Sequence, residues 1–159
     1  MKIVLITALL SLLPISELRG AIPFALGNGM PLVFTYIFAV LLNALVGPLV
    51  FIFLSTLHRW LVKFHWYKSF FDSFVEKNRH KVENKIVKYG YAGITLFIAI
   101  PLPVTGAYTG TLVAWIMGLD AKKTFLSVLI GVVISGIIVT IISYYGIAAF
   151  SIFIKQINV

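Results

Sequence analysis

Glu17 and Arg19 are the only charged residues set inside a hydrophobic block of this chain. An ionisable group in hydrocarbon costs at least ~2.5 kcal/mol, so it needs a partner, water or a task. Both lie in Pro14-Ile15-Ser16-Glu17-Leu18-Arg19-Gly20-Ala21-Ile22-Pro23, where prolines and a glycine interrupt an apolar run. Two readings stand. In one, the pair neutralise each other across a broken backbone, or sit at the membrane edge. In the other, Glu17 is a proton-titrating or cation-linked carboxylate, because a low dielectric penalises the charged form. Arg19 then contacts an anionic head group.

A second interrupted stretch is Pro101-Leu102-Pro103-Val104-Thr105-Gly106-Ala107-Tyr108-Thr109-Gly110-Thr111, and it carries no charge. It offers hydroxyls at Thr105, Thr109, Thr111 and Tyr108, unwound backbone, and helix N-termini able to hold an anion. The alternative is a packing turn whose threonines bond nearby carbonyls. Asn43, mid-way along an apolar run, wants a partner across helices, or contacts substrate. His58, His65 and His80 match no metal-ligand spacing, and there is no cysteine. No catalytic set, P-loop or dinucleotide fingerprint is present. The sequence therefore predicts no enzyme, no metal and no cofactor.

The elements that must position these residues are apolar. Of 159 residues 60% are hydrophobic and only 11% charged, and the mean hydropathy is +1.04. Soluble domains carry roughly 25% charge, so the bilayer is the expected solvent. Four blocks emerge: Ile3 to Met30, broken; Pro31 to Leu57, continuous; Tyr89 to Leu119, broken by Pro101, Pro103, Gly106 and Gly110; and Phe125 to Ile154, continuous. The order is a two-fold repeat. Gly20-Ala21 aligns with Gly106-Ala107 and Leu26 with Leu112. Small residues recur every fourth position at Ala21, Ala25 and Gly29, and at Gly106, Gly110, Ala114 and Gly118, which puts each set on one helix face. Ala39, Asn43 and Gly47, with Gly131 and Ser135, are expected to mark where the long helices meet. Met1-Lys2 and the apolar run to Leu13 resemble a signal peptide, but no small-x-small cleavage site follows, so this segment is read as retained.

The net charge of +8 is concentrated between Arg59 and Lys88. Long uncharged runs flank it, which fits a cytoplasmic loop and not a nucleic-acid-binding surface. Trp60, Phe64, Tyr67, Phe71, Phe74, Val82 and Ile86 recur at helical spacing among lysines, predicting an amphipathic interfacial helix. Lys122 and Lys123 should be cytoplasmic as well, with Asp120 capping the last helix. Both basic groups share a side only if Tyr89 to Leu119 enters and leaves on that side. The expected fold is thus all-α and integral to the membrane. It is an inverted repeat of two re-entrant helical hairpins, each followed by a transmembrane helix, in one domain: 1–57, the basic segment 58–88, and 89–159. The expected location is the cell membrane, multi-pass, with 58–88 cytoplasmic.

The two proline-flanked motifs resemble the signatures of the small multi-drug export protein family, which is similar to the broader DedA-like membrane proteins. The resemblance spans about Leu10 to Gly146. It implies paired re-entrant hairpins and movement of lipids or lipid phosphates. DedA-like proteins carry an arginine in the second hairpin; here Thr105 stands near that turn and Arg19 lies in the first. Glu17 carries over as the acidic site. The expected function is a secondary transporter or lipid translocase for an amphipathic, anionic substrate, coupled to protons or cations. Alternatives are a small multidrug exporter and a non-transporting scaffold. The residues expected to carry transport are Glu17, Arg19, Gly20, Pro14, Pro23, Pro101, Pro103, Thr105, Gly106, Tyr108, Thr109 and Asn43. Membrane lipids and a second copy of the chain are the expected partners.

Overall fold

Proline decides where the first helix of each short pair stops. The computed structural model describes residues 1–64, 68–69, 90–102 and 105–157, with side chains followed to residue 149. Its helices are α1 (Lys2–Leu12), α2 (Glu17–Gly27), α3 (Leu32–Ala44), α4 (Val46–Leu61), α5 (Gly90–Ala99), α6 (Ala107–Ile116) and α7 (Ala121–Ile157). No strand occurs among the described residues. A residue before proline is pushed out of helical conformation. Leu13, before Pro14, is accordingly extended at φ −80°, ψ 133°, and ends α1. Ile100 precedes Pro101, and α5 has ended at Ala99.

The first break is tighter than the sequence suggests. The helix α2 begins at Glu17 and runs through Gly20 and Pro23 to Gly27, so the turn is confined to Leu13–Ser16. Pro23 removes only the donor that the Arg19 carbonyl would have met. The run Pro31 to Leu57 is likewise not continuous. A one-residue break at Leu45 separates α3 from α4, because Pro48 has no N–H for the Ala44 carbonyl and its ring crowds it. The α3–α4 rod still covers Leu32–Leu61, 30 apolar residues. Of the predicted amphipathic segment 58–88, the end of α4 and a few residues after it are described. The remainder, with His65 and His80, lies outside the described residues.

The packing is inverted relative to a water-soluble protein. The buried stripe of α7 includes Thr124, Ser127, Val128, Val132, Ser135, Val139 and Thr140. Its outward residues are large: Leu126 is 56% exposed, Ile142 63%. On α3 and α4, Leu41, Leu49, Ile52 and Phe53 are each at least 60% exposed. Small residues inside and large apolar ones outside is the pattern of helices solvated by lipid. With two helices long and apolar enough to cross a bilayer, the chain is a membrane protein.

Glycines let the rods touch. A Cβ on Gly47 would lie 3.0 Å from Val128, and one on Gly136 2.6 Å from Val40. As the number rises along α3–α4 it falls along α7, so the rods are antiparallel. The sequence places Gly131 at this meeting of the long helices, but a Cβ there would meet Ile98 and Thr95 of α5 instead. Tyr91, at the start of α5, accepts from the Asp120 N–H at 3.1 Å. The α5–α6 pair therefore leaves and returns at one end of the molecule, beside the start of α7.

Both short pairs end in the same motif. At the end of α2, the Gly29 N–H donates to the Leu26 carbonyl and the Met30 N–H to Ala25, both at 3.0 Å. After α6, Gly118 donates to Trp115 and Leu119 to Ala114, again at 3.0 Å. These are Schellman caps with glycine at the left-handed position, at φ 79° and 69°. Pairing Gly29 with Gly118 also pairs Ala25 with Ala114, Leu32 with Ala121 and Glu17 with Gly106. One offset serves all four. That offset differs from the one that aligns Gly20 with Gly106, because it matches turn conformations and not glycine identities.

Candidate functional site

The turns of the two short pairs meet, and Glu17 joins them. Its carboxylate is only 6% exposed and accepts from the Ala107 and Tyr108 N–H groups, each at 3.3 Å. Those are orphan donors of the first turn of α6, so Glu17 caps α6 from the other half of the chain. Gly106 makes room for it. A Cβ there would stand 2.0 Å from Oε2, and φ is 155°. Glu17 itself has φ 47°, the only non-glycine residue so placed among those described. Left-handed backbone costs such a residue of order 1–3 kcal/mol and persists only where its surroundings hold it.

Two further contacts cross the seam in opposite directions. The Arg19 guanidinium donates to the Leu102 carbonyl, just past α5. The Tyr108 hydroxyl donates to the Leu12 carbonyl, at the end of α1. At the offset shared by the two caps, Arg19 corresponds to Tyr108, and Leu102 to Leu13, next to Leu12. The seam is thus pseudo-symmetric: each half sends a side chain from its second short helix to a carbonyl ending the other's first. One reading of the sequence paired Glu17 with Arg19; their hydrogen bonds among the described residues go elsewhere. Each goes to backbone of the opposite half.

This arrangement satisfies backbone that a membrane interior would leave stranded. In α1 the Leu9 carbonyl accepts from Leu13, Ser11 from Asn43 Nδ2 at 2.9 Å, and Leu12 from Tyr108. Asn43 is therefore interhelical glue between α3 and α1, although its Oδ1 is buried without a partner. Thr105 holds its own turn, donating to Ile100 and Leu102 carbonyls at 2.8 Å and accepting from Leu102 N–H at 3.1 Å. Gly20 lets α2 start under Ser16, whose Oγ would lie 2.0 Å from an added Cβ. Thr109 reaches the Gly106 carbonyl at 3.4 Å. Pro103 lies outside the described residues.

Beside the seam is a cavity of about 550 Å³ lined by Pro14, Ile15, Glu17, Arg19, Pro101, Thr105 and Thr109. Six of these are residues that the sequence singles out. Leu102 O is the one hydrogen-bond partner of Arg19 among the described residues, so further guanidinium donors are available to a guest. Sequence reasoning did not find the other seam partners, because Ala107 N–H and the carbonyls of Leu12 and Leu102 are backbone groups without a side-chain signal. Ile15, 98% exposed at the first tip, was missed as well.

The model of one protein family, the small multi-drug export proteins, matches residues 17–138. The match begins at Glu17 and covers α2 through about the first half of α7. No curated protein and no solved structure matches the chain.

Proposed function

The chain belongs to the small multi-drug export protein family, and we propose that it works as a transporter whose site lies between two re-entrant hairpins, α1–α2 and α5–α6. Short helices of ten or eleven residues reach about 15 Å at 1.5 Å per residue, half of a ~30 Å hydrocarbon core. Two such pairs entering from opposite faces would meet at mid-depth, an arrangement that recurs among transporters built from inverted repeats. The observation that carries the reading is the cavity shared by both tips, with apolar walls at Pro14, Ile15 and Pro101 and one guanidinium. Such a site suits an amphipathic anion, a lipid phosphate included.

Glu17 then acts as the gate. Protonation puts a donor where the Ala107 and Tyr108 N–H groups need an acceptor, which loosens the seam and lets the halves separate around the guest. The test is reconstitution into vesicles with a fluorescent anionic phospholipid, whose appearance in the far leaflet is followed by an impermeant quencher. Arg19→Gln should slow translocation at least ~10-fold, the scale of one lost charged hydrogen bond of about 1.5–3 kcal/mol, while Arg19→Lys keeps part of it. Equal rates for wild type and Arg19→Gln would overturn the assignment.

A second reading, export of amphipathic drugs, is favoured by the family description and by the lack of a cation on the second hairpin. It predicts that a lipophilic cationic dye is moved faster than the labelled lipid in the same vesicles.

A further inference from the structure

We propose that the break at Leu45–Pro48 is a hinge, about which α4, α5 and α6 turn as one body against α1, α2 and α3, so that the seam opens. What that motion serves rests on the transport reading; the hinge itself is measured without a guest.

The backbone is already loosened there. Pro48 offers the Ala44 carbonyl no N–H, and its ring crowds that turn. The ladder around it is stretched. The Leu45 N–H reaches the Leu41 carbonyl at 3.4 Å, and the Leu49 N–H reaches Leu45 at 3.2 Å, where about 2.9–3.0 Å is usual. Bending at this point therefore costs one hydrogen bond fewer than elsewhere in the rod, and proline is a common seat of sharp kinks. A hinge needs only a few such residues at the end of an element.

The break also falls where the packing changes. Before it, α3 lies on α1 and α2, and Asn43 Nδ2 donates to the Ser11 carbonyl at 2.9 Å. After it, α4 lies on α6. There the Trp115 indole N–H donates to Ser55 at 3.1 Å, and its ring meets that of His58. The long α7 supports both bodies, but at separate places. The second body holds its first part. The Asp120 N–H donates to the Tyr91 hydroxyl, Thr95 Oγ1 lies 3.3 Å from the Ser127 carbonyl, Gly47 faces Val128, and Gly131 faces Ile98. The first body holds α7 further along. The Tyr36 hydroxyl donates to the Val133 carbonyl at 3.3 Å, and Gly136 faces Val40.

The repeat supplies an internal contrast. The offset shared by the two caps pairs Leu45 and Pro48 with Ile134 and Ile137, inside a helix that runs unbroken from Ala121 to Ile157. One long rod is cut and its counterpart is not. Glu17, Arg19 and Tyr108 join the two bodies directly across the seam. The seam is then the latch of the motion and Leu45–Pro48 its pivot. A bend of about 20° at Leu45 carries Leu57, about 18 Å further along α4 at 1.5 Å per residue, through about 6 Å.

The test is distance measurement between spin labels on the full chain in lipid nanodiscs, with pairs of cysteines introduced at exposed positions. Leu5→Cys with Leu57→Cys spans the two bodies. Leu5→Cys with Leu41→Cys lies within the first, and Leu57→Cys with Leu112→Cys within the second. Glu17→Gln, which loosens the seam, should shift the spanning distance by at least ~4 Å and leave the other two as in wild type. Pro48→Ala restores the missing N–H and favours a straight helix. Added to Glu17→Gln, it should return the spanning distance to that of wild type. Alone, it should slow translocation of the labelled lipid at least ~10-fold. A spanning distance that Glu17→Gln leaves unchanged, or that Pro48→Ala fails to restore, overturns the hinge, as does an equal change in all three pairs. Distances that behave as expected while no lipid moves uphold the hinge and remove the transport reading instead.

Discussion

At the scale of the residue, the seam depends on one carboxylate and the glycine that admits it. Gly106→Ala would set a methyl within 2.0 Å of Glu17 Oε2 at a φ of 155°. The expected cost is about 3 kcal/mol or more, from overpacking and backbone strain together, read as a fall in Tm in detergent. Glu17→Gln keeps the shape but offers one acceptor where two N–H groups need it, at about 1–3 kcal/mol. Both substitutions break the same contact, so the double variant should fall well short of the two losses added. Full additivity would mean that Gly106 and Glu17 stabilise the molecule separately. In vesicles, Glu17→Gln should also remove any dependence of flux on an imposed pH gradient, since the side chain no longer titrates. A gradient-driven flux surviving in that variant would exclude Glu17 as the gate.

At the scale of the element, the caps and crossings make separate demands on glycine. Gly29 and Gly118 have positive φ and nothing within 4 Å of a would-be Cβ. Alanine there costs only the backbone preference, about 1–2 kcal/mol each, and the two values should agree because the motif is the same. Gly136 has ordinary helical backbone, but its Cβ would meet Val40 at 2.6 Å. Gly136→Ala should cost about 1–3 kcal/mol, and Val40→Ala should recover part of it, whereas it should not help Gly29→Ala. Thermal unfolding of the single and double variants checks this. The sequence carried part of this plan openly. Pro14 and Pro101 announce both turns, and Glu17 announces a buried charge in need of a partner. The register was hidden because Gly29 and Gly118 read as members of packing stripes, while their work is a backbone conformation that residue type alone does not reveal. The break at Leu45 was legible in Pro48 but masked by unbroken hydrophobicity. The partners of Glu17, Arg19 and Tyr108 were out of reach, since every residue has an N–H or a carbonyl and only the fold decides which are orphaned.

At the scale of the whole molecule, sidedness follows from the packing. The α3–α4 rod runs from Leu32 to Leu61, about 45 Å at 1.5 Å per residue. With α7 antiparallel to it, the start of α7 lies toward the end of α4. Trp115, near the end of α6, confirms the direction: its indole N–H donates to Ser55 at 3.1 Å and its ring meets His58 at 5.3 Å. Lys63 and Lys123 therefore belong to one face, and Asn28, in the turn before α3, to the other. The chain has no cysteine, so single cysteines at these three exposed positions report without background. In sealed vesicles of uniform orientation, an impermeant maleimide should label Lys63→Cys and Lys123→Cys from the same side and Asn28→Cys only from the opposite one. By the positive-inside rule, the side labelled at the first two positions is expected to be the cytoplasmic one. Labelling of Lys63→Cys and Lys123→Cys from opposite sides would require α5–α6 to cross the bilayer. The meeting of the two turns at Glu17 could then not lie at mid-depth between re-entrant hairpins, and the transport site proposed there would have to be abandoned.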